Sequence, residues 1–122
     1  MSIIERIRRF SQDPDELSEP RRSPCEVYLI SRLSEMPDQG GPVRYHLLFS
    51  GEVQAVGFRW TNRELANQHG LTGWVRNLDG GTVVAELQGT PAAIRRHFEL
   101  VHAQYLHYGN DIWLEQIGRA HV

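Results

Sequence analysis

Residues 49–59 read FSGEVQAVGFR. An apolar strand, Arg44 to Val53, runs into a tight loop, Gln54-Ala55-Val56-Gly57, and Phe58 and Arg59 open a helix. Successive backbone N–H groups of such a loop can point at one spot, next to the positive end of the helix dipole. That arrangement suits an anion, above all phosphate. Arg59 adds a guanidinium fork that matches two phosphate oxygens. Taken alone, the stretch also reads as an ordinary strand-to-helix connection with an exposed arginine, because glycine-containing turns before helices are common.

A second stretch, GWVRNLDGGTVVAELQG at residues 73–89, narrows the choice. A strand ends at Asn77, a hairpin turns at Asp79-Gly80-Gly81, and another strand runs from Thr82 to Gly89. Together the two stretches resemble the acylphosphatase family. The second matches its pattern at Gly73, Trp74, Val75, Arg76, Asn77, Gly81, Val83 and Gly89. The first matches at Gly51, Val53, Gln54, Val56, Phe58 and Arg59, and departs at Ala55, where the family has glycine. The resemblance covers about Val43 to Val122 and says nothing about residues 1–42.

Working outward, Val43, Tyr45, Leu47 and Phe49 alternate with more polar neighbours, the pattern of a half-buried strand. A helix is expected from about Phe58 to His69, stopped by Gly70. Strands follow over Leu71 to Asn77 and Thr82 to Gly89. Thr90-Pro91 opens a helix with Ile94, Phe98, Val101 and Tyr105 at helical spacing. Gly109-Asn110 turns the chain into a last strand, Asp111 to Gln116. The order β-α-β-β-α-β predicts an α+β fold, the ferredoxin-like antiparallel sheet with two helices on one face. The resemblance implies the same fold. In that topology Asn77 comes close to the loop at 54–59.

Residues 1–42 read as an extension ahead of a domain spanning 43–122. SIIERIRRF, residues 2–10, has the spacing of a short amphipathic helix, with Ile3, Ile4, Ile7 and Phe10 on one face. Such a helix packs on its own domain or on a partner subunit, or lies on a membrane. Residues 11–24 form a proline-containing linker. Ser23-Pro24-Cys25-Glu26 reads as N-cap, first-turn proline and third-position acid, starting a helix that runs to about Met36. A strand over Glu26 to Ser31 is the competing reading. Pro37 to Pro42 breaks the pattern and marks the boundary.

The chain has 122 residues and a net charge of −2, so no bulk basic surface argues for nucleic acid. All 13 basic residues are arginines scattered over every segment. Cys25 is the only cysteine, which forbids an intrachain disulfide, and no motif around it suggests a nucleophile. The six histidines show no metal-ligand spacing. No apolar run is long enough to span a membrane, and a cytoplasmic protein is expected. Trp74 is expected in the core, under the site. The glycines at 73, 81 and 89 also read simply as turn and strand-end residues.

A phosphoryl group seated on the amides of Gln54, Ala55, Val56, Gly57 and Phe58 and gripped by Arg59 would have its transition-state charge stabilised without a metal or cofactor. A carboxamide both donates and accepts, so Asn77 is the candidate for placing the attacking water. No general acid or base is evident. An acyl phosphate needs none, since its leaving group is a carboxylate of low pKa. The resemblance implies the same activity, hydrolysis of carboxyl-phosphate bonds, with Arg59 holding phosphate and Asn77 the water. The expected partner is a small acyl phosphate or inorganic phosphate, with no nucleic acid and no membrane, on a monomer or a weak homodimer formed through the extension. Ala55, if its position requires positive φ, would cost on the order of 1 kcal/mol and tilt the amide ring. This supports an alternative, a catalytically weakened anion-binding or interaction module. A ferredoxin-like RNA binder is a third reading, but the strand at 83–89 offers no aromatic.

Overall fold

The computed structural model describes residues 22–51, 57–108 and 112–122, without the side chains of 105–108. The amphipathic stretch 2–10, the linker up to residue 21, the loop residues Gln54, Ala55 and Val56, the side chain of Tyr105 and the turn at Gly109-Asn110 lie outside the described residues.

The first described helix, α1, spans Pro24–Glu35. Ser23 caps it, its Oγ accepting the Glu26 N–H at 3.0 Å, and Pro24 occupies the first turn, where an N–H has no intrahelical partner. The strand reading of 26–31 is therefore set aside. The Glu26 carboxylate does not turn back to the cap. It is buried against another helix, while the Ser23 hydroxyl donates to the Leu114 carbonyl at 2.6 Å. The cap thus starts the helix and pins it to the body of the fold. Leu29 and Leu33, one turn apart, enter the common core. Burying each removes apolar surface worth about 1.5–3 kcal/mol.

Four strands, β1 (Val43–Gly51), β2 (Thr72–Asn77), β3 (Val83–Gly89) and β4 (Ile112–Ala120), form one sheet in the order β2-β3-β1-β4. Every neighbouring pair is antiparallel. Two more helices, α2 (Phe58–Gln68) and α3 (Pro91–Tyr108), complete the expected β-α-β-β-α-β order. Val43, Tyr45, Leu47 and Phe49 alternate inward on β1. They meet Val83, Ala85 and Leu87 of β3, Phe58 of α2, and Ile94, Phe98 and Val101 of α3 in a single core. Because Leu29 and Leu33 join the same core, the covered face carries three helices, and α1 packs against α3 and β4.

The break after α1 also has a fastening role. A short 3-10 turn, Asp38–Gly40, brings Asp38 to the start of α3, where its Oδ1 accepts the Ala92 N–H at 3.1 Å. Thr90 Oγ1 accepts from Ala93 N at 3.2 Å beside it. Two of that helix's unpaired donors are thereby satisfied.

β4 runs to Ala120, past the Gln116 expected from the sequence. It pairs with β1 as far as Arg44↔Ala120, and a register shift between Leu48 and Phe49 disturbs the alternation that would have shown this. Trp74 is not a core residue. It lies on the sheet face that none of the described helices covers, 38% exposed, with its ring edge-on to His46 at 5.9 Å and the Arg76 guanidinium 5.2 Å from its centroid. The inward neighbour is Gly73, and there is a steric reason for glycine. A Cβ at this position, where φ is 140°, would fall 1.8 Å from the Glu86 carbonyl oxygen.

Candidate functional site

β1 and β2 run in the same direction with β3 between them, so their final residues lie at one end of the sheet. Phe49 pairs with Val83, and Val83 with Asn77, which places all three in one row across the strands. α2 connects β1 to β2 and runs opposite to both, so its first turn lies at that same end. Phe58, fully buried, packs its ring 5.0 Å from that of Phe49 and fixes the helix start beneath the end of β1. Arg59 and Asn77 are thus brought to one end of the fold, both exposed. By strand alternation Asn77 belongs with Gly73 and Val75, on the face that α2 covers.

The turn into α2 is built for an open helix end. Gly57 occupies the cap position with φ 70°, ψ 27°, a left-handed conformation that glycine adopts without strain, and it supplies no capping side chain. The first turn contains no acidic residue. The positive end of the helix dipole therefore meets no neutralising carboxylate from its own first turn. Gln54, Ala55 and Val56, the expected remainder of the anion cradle, lie outside the described residues, so the described part of the site is Gly57, Phe58, Arg59 and Asn77.

A cavity of about 660 Å³ opens between α2 and β2. Arg59, Arg63 and Ala66 line it from the helix; Leu71, Gly73 and Val75 line it from the opposite side. Asn77 is not among its lining residues. Among the described residues no carboxylate pairs with Arg59 or Arg63.

At the base of this region Asn62 and His97 form a buried polar pair, 2% and 1% exposed. His97 Nε2 donates to Asn62 Oδ1, while Asn62 Nδ2 and His97 Nδ1 have no partner among the described residues. Burial, and then the charge of His69, pushes the His97 imidazole down to about 4, so it is neutral at physiological pH. Sequence reasoning missed Asn62, Arg63 and His97. Arg63 had a signal, standing four residues after Arg59 on the same helix face. The Asn62–His97 pair had none, because its members lie 35 positions apart on different helices.

Among the described residues, the other titratable groups do not form a second centre. Burial, then the nearby charges of Glu26 and Glu115, raises the Cys25 thiol, the opposite of what a nucleophilic cysteine needs. Glu86 on the open sheet face is held below the usual carboxylate range by hydrogen bonds from Arg44 at 2.7 Å and then His46 at 3.0 Å. Among the described residues no group of three or more histidine, cysteine or carboxylate side chains could hold a metal ion, and no helix is long and apolar enough to cross a membrane.

The acylphosphatase family model matches residues 45–107, more than half of the chain, from β1 into α3. An acylphosphatase from Gloeobacter violaceus is 50% identical over 54 residues, 44% of this chain and 58% of that protein. One from Thermococcus kodakarensis is 50% identical over 52 residues, 43% of this chain and 57% of that protein. The chain thus spans less than two thirds of the length of these relatives. Among solved structures, full-length HypF in its phosphate- and nucleotide-bound form superposes with a TM-score of 0.51 at 22% identity, over 67% of this chain and 11% of that one, a likeness of fold. With the family's model matched across the strand, the helix and the hairpin that build the site, this chain belongs to the acylphosphatase family.

Proposed function

We propose that the protein hydrolyses small acyl phosphates to a carboxylate and inorganic phosphate. The observation that carries this reading is Arg59, exposed and without a carboxylate partner among the described residues. It stands in a helix first turn that has no side-chain cap and no acidic residue, at the same end of the fold as Asn77. In this reading the phosphoryl group sits against the amides of residues 54–59. The guanidinium of Arg59 and the helix dipole stabilise charge on its equatorial oxygens. Asn77 accepts a hydrogen bond from a water and aims its oxygen at phosphorus. The P–O bond to the acyl group breaks as the bond to water forms. The carboxylate leaves with the electron pair, and the proton of the water passes to solvent. Because a carboxylate is a good leaving group, the step needs neither a general acid nor a metal. A cytoplasmic setting goes with this reading.

The test is phosphate release from an aryl acyl phosphate with EDTA present. The wild type should turn over, and Arg59→Ala and Asn77→Ala should each lose at least about a hundredfold, the usual scale for removing one transition-state donor or positioning group. Asn77→Ala should still bind phosphate. A wild type that binds phosphate without turnover would instead mark an anion-binding module.

A further inference from the structure

The cavity between α2 and β2 begins at Arg59 and continues past it along the helix. If Arg59 takes the phosphoryl group, the acyl group must lie somewhere beyond the carbonyl. This cavity is continuous with Arg59 and large enough for a small organic chain. Its walls are not uniformly apolar. Arg63 lines it one turn further along α2, and like Arg59 it has no carboxylate partner among the described residues. Residues four apart on a helix share a face and are separated by about 6 Å along the axis. The cavity therefore presents two guanidinium groups, without carboxylate partners among the described residues, spaced along one wall, with the apolar surface of Ala66, Leu71 and Val75 beside them.

An acyl phosphate with a purely hydrocarbon tail would leave Arg63 facing that tail. A chain ending in a second anionic group would satisfy both cations at once, with its methylene groups on the apolar wall. We propose that the cavity is the acyl subsite and that Arg63 is a specificity-determining residue selecting the mono-acyl phosphates of short dicarboxylic acids. This rests on the hydrolase reading above, because it takes Arg59 as the seat of the phosphoryl group. A four-carbon diacid places its free carboxylate about one helical turn from the phosphorus, the span between the two arginines.

The test is binding of three non-hydrolysable alkylphosphonates of equal length, ending in a carboxylate, a methyl group or an ammonium group. They are titrated by NMR or calorimetry against the wild type, Arg63→Gln and Arg59→Ala. The wild type should bind the carboxylate-terminated probe about fivefold more tightly than the methyl-terminated one, the scale of a solvent-accessible ion pair, and the ammonium-terminated one most weakly. Arg63→Gln should bind the carboxylate and methyl probes alike, with its urea midpoint at the wild-type value. No preference in the wild type, or the same preference in Arg63→Gln, overturns the proposal while leaving the hydrolase reading in place. Undiminished binding of all three probes to Arg59→Ala removes Arg59 as the phosphoryl seat. It overturns the hydrolase reading together with the assignment of the cavity as an acyl subsite.

Discussion

Two buried polar pairs connect α3 to the other helices, and they are finished in opposite ways. On the α1 side, Glu26 and His102 are 1% and 3% exposed and joined at 2.7 Å, and Arg22 closes on the same carboxylate at 2.5 Å. On the α2 side, Asn62 and His97 are equally buried but leave a donor and an acceptor without partners among the described residues, at the edge of a cavity. The first pair is closed and holds α1 against the rest of the fold. The second is incomplete and borders the candidate site. Buried polar groups are expected to be satisfied, and the exceptions tend to lie where ligands bind. In this molecule the polarity that fastens and the polarity left open have been assigned to different halves of one sheet.

The largest effect should come from breaking the closed pair. Glu26→Ala leaves His102 and Arg22 without their carboxylate and should lower unfolding free energy by about 3–5 kcal/mol in urea titrations. Replacing both deeply buried members, Glu26→Leu with His102→Leu, should recover most of that loss, since no fully buried polar side chain is then left without its partner, and the partly exposed Arg22 can turn to solvent. If the single and double variants are equally unstable, the pair is not the fastening described here.

The open pair should respond to acid. The His97 imidazole titrates at about 4 in the fold, below the 6.5 of an exposed histidine. The unfolded chain therefore takes up the proton first. The stability it provides is complete above about 6.5 and is lost progressively as pH falls toward 4, by roughly 3 kcal/mol in all. NMR of the His97 ring should show it neutral at pH 5.5, and His97→Gln should remove this part of the acid sensitivity. A ring that titrates near 6.5 would contradict the burial argument.

Smaller effects separate the candidate site from the open sheet face. Gly57→Ala forces a left-handed conformation on a residue with a side chain and should cost about 1 kcal/mol. It should also weaken phosphate binding, which a purely structural turn would not do. Trp74→Ala on the open face removes an exposed cation–π contact and should cost no more than about 1 kcal/mol. A larger loss would mean that this face is covered in solution.

Most of the fold was legible because local signals agreed with the long-range arrangement. Ser23-Pro24 before α1, Gly70 after α2, the Asp79-Gly80-Gly81 turn and the inward alternation of β1 each needed only a few neighbouring residues to be read. Trp74 was misplaced because a large aromatic ordinarily indicates the core. On β2 the inward position is held by Gly73, whose lack of a side chain is imposed by the Glu86 carbonyl across the strand. The end of β4 was hidden by an irregular register with β1. The dual role of Glu26 was hidden because its partner is 76 residues away. For the candidate site, the sequence marked Arg59 and Asn77 through their motifs. It could not show the cavity, which forms only where α2 and β2 come together in the fold.

Whether Arg59 and Asn77 act together at one end of this sheet is decided by phosphate release from an aryl acyl phosphate in EDTA. The wild type should show metal-independent turnover that falls at least about a hundredfold in Arg59→Ala and in Asn77→Ala, with phosphate binding retained only in the latter. Turnover that survives both substitutions would contradict their joint role.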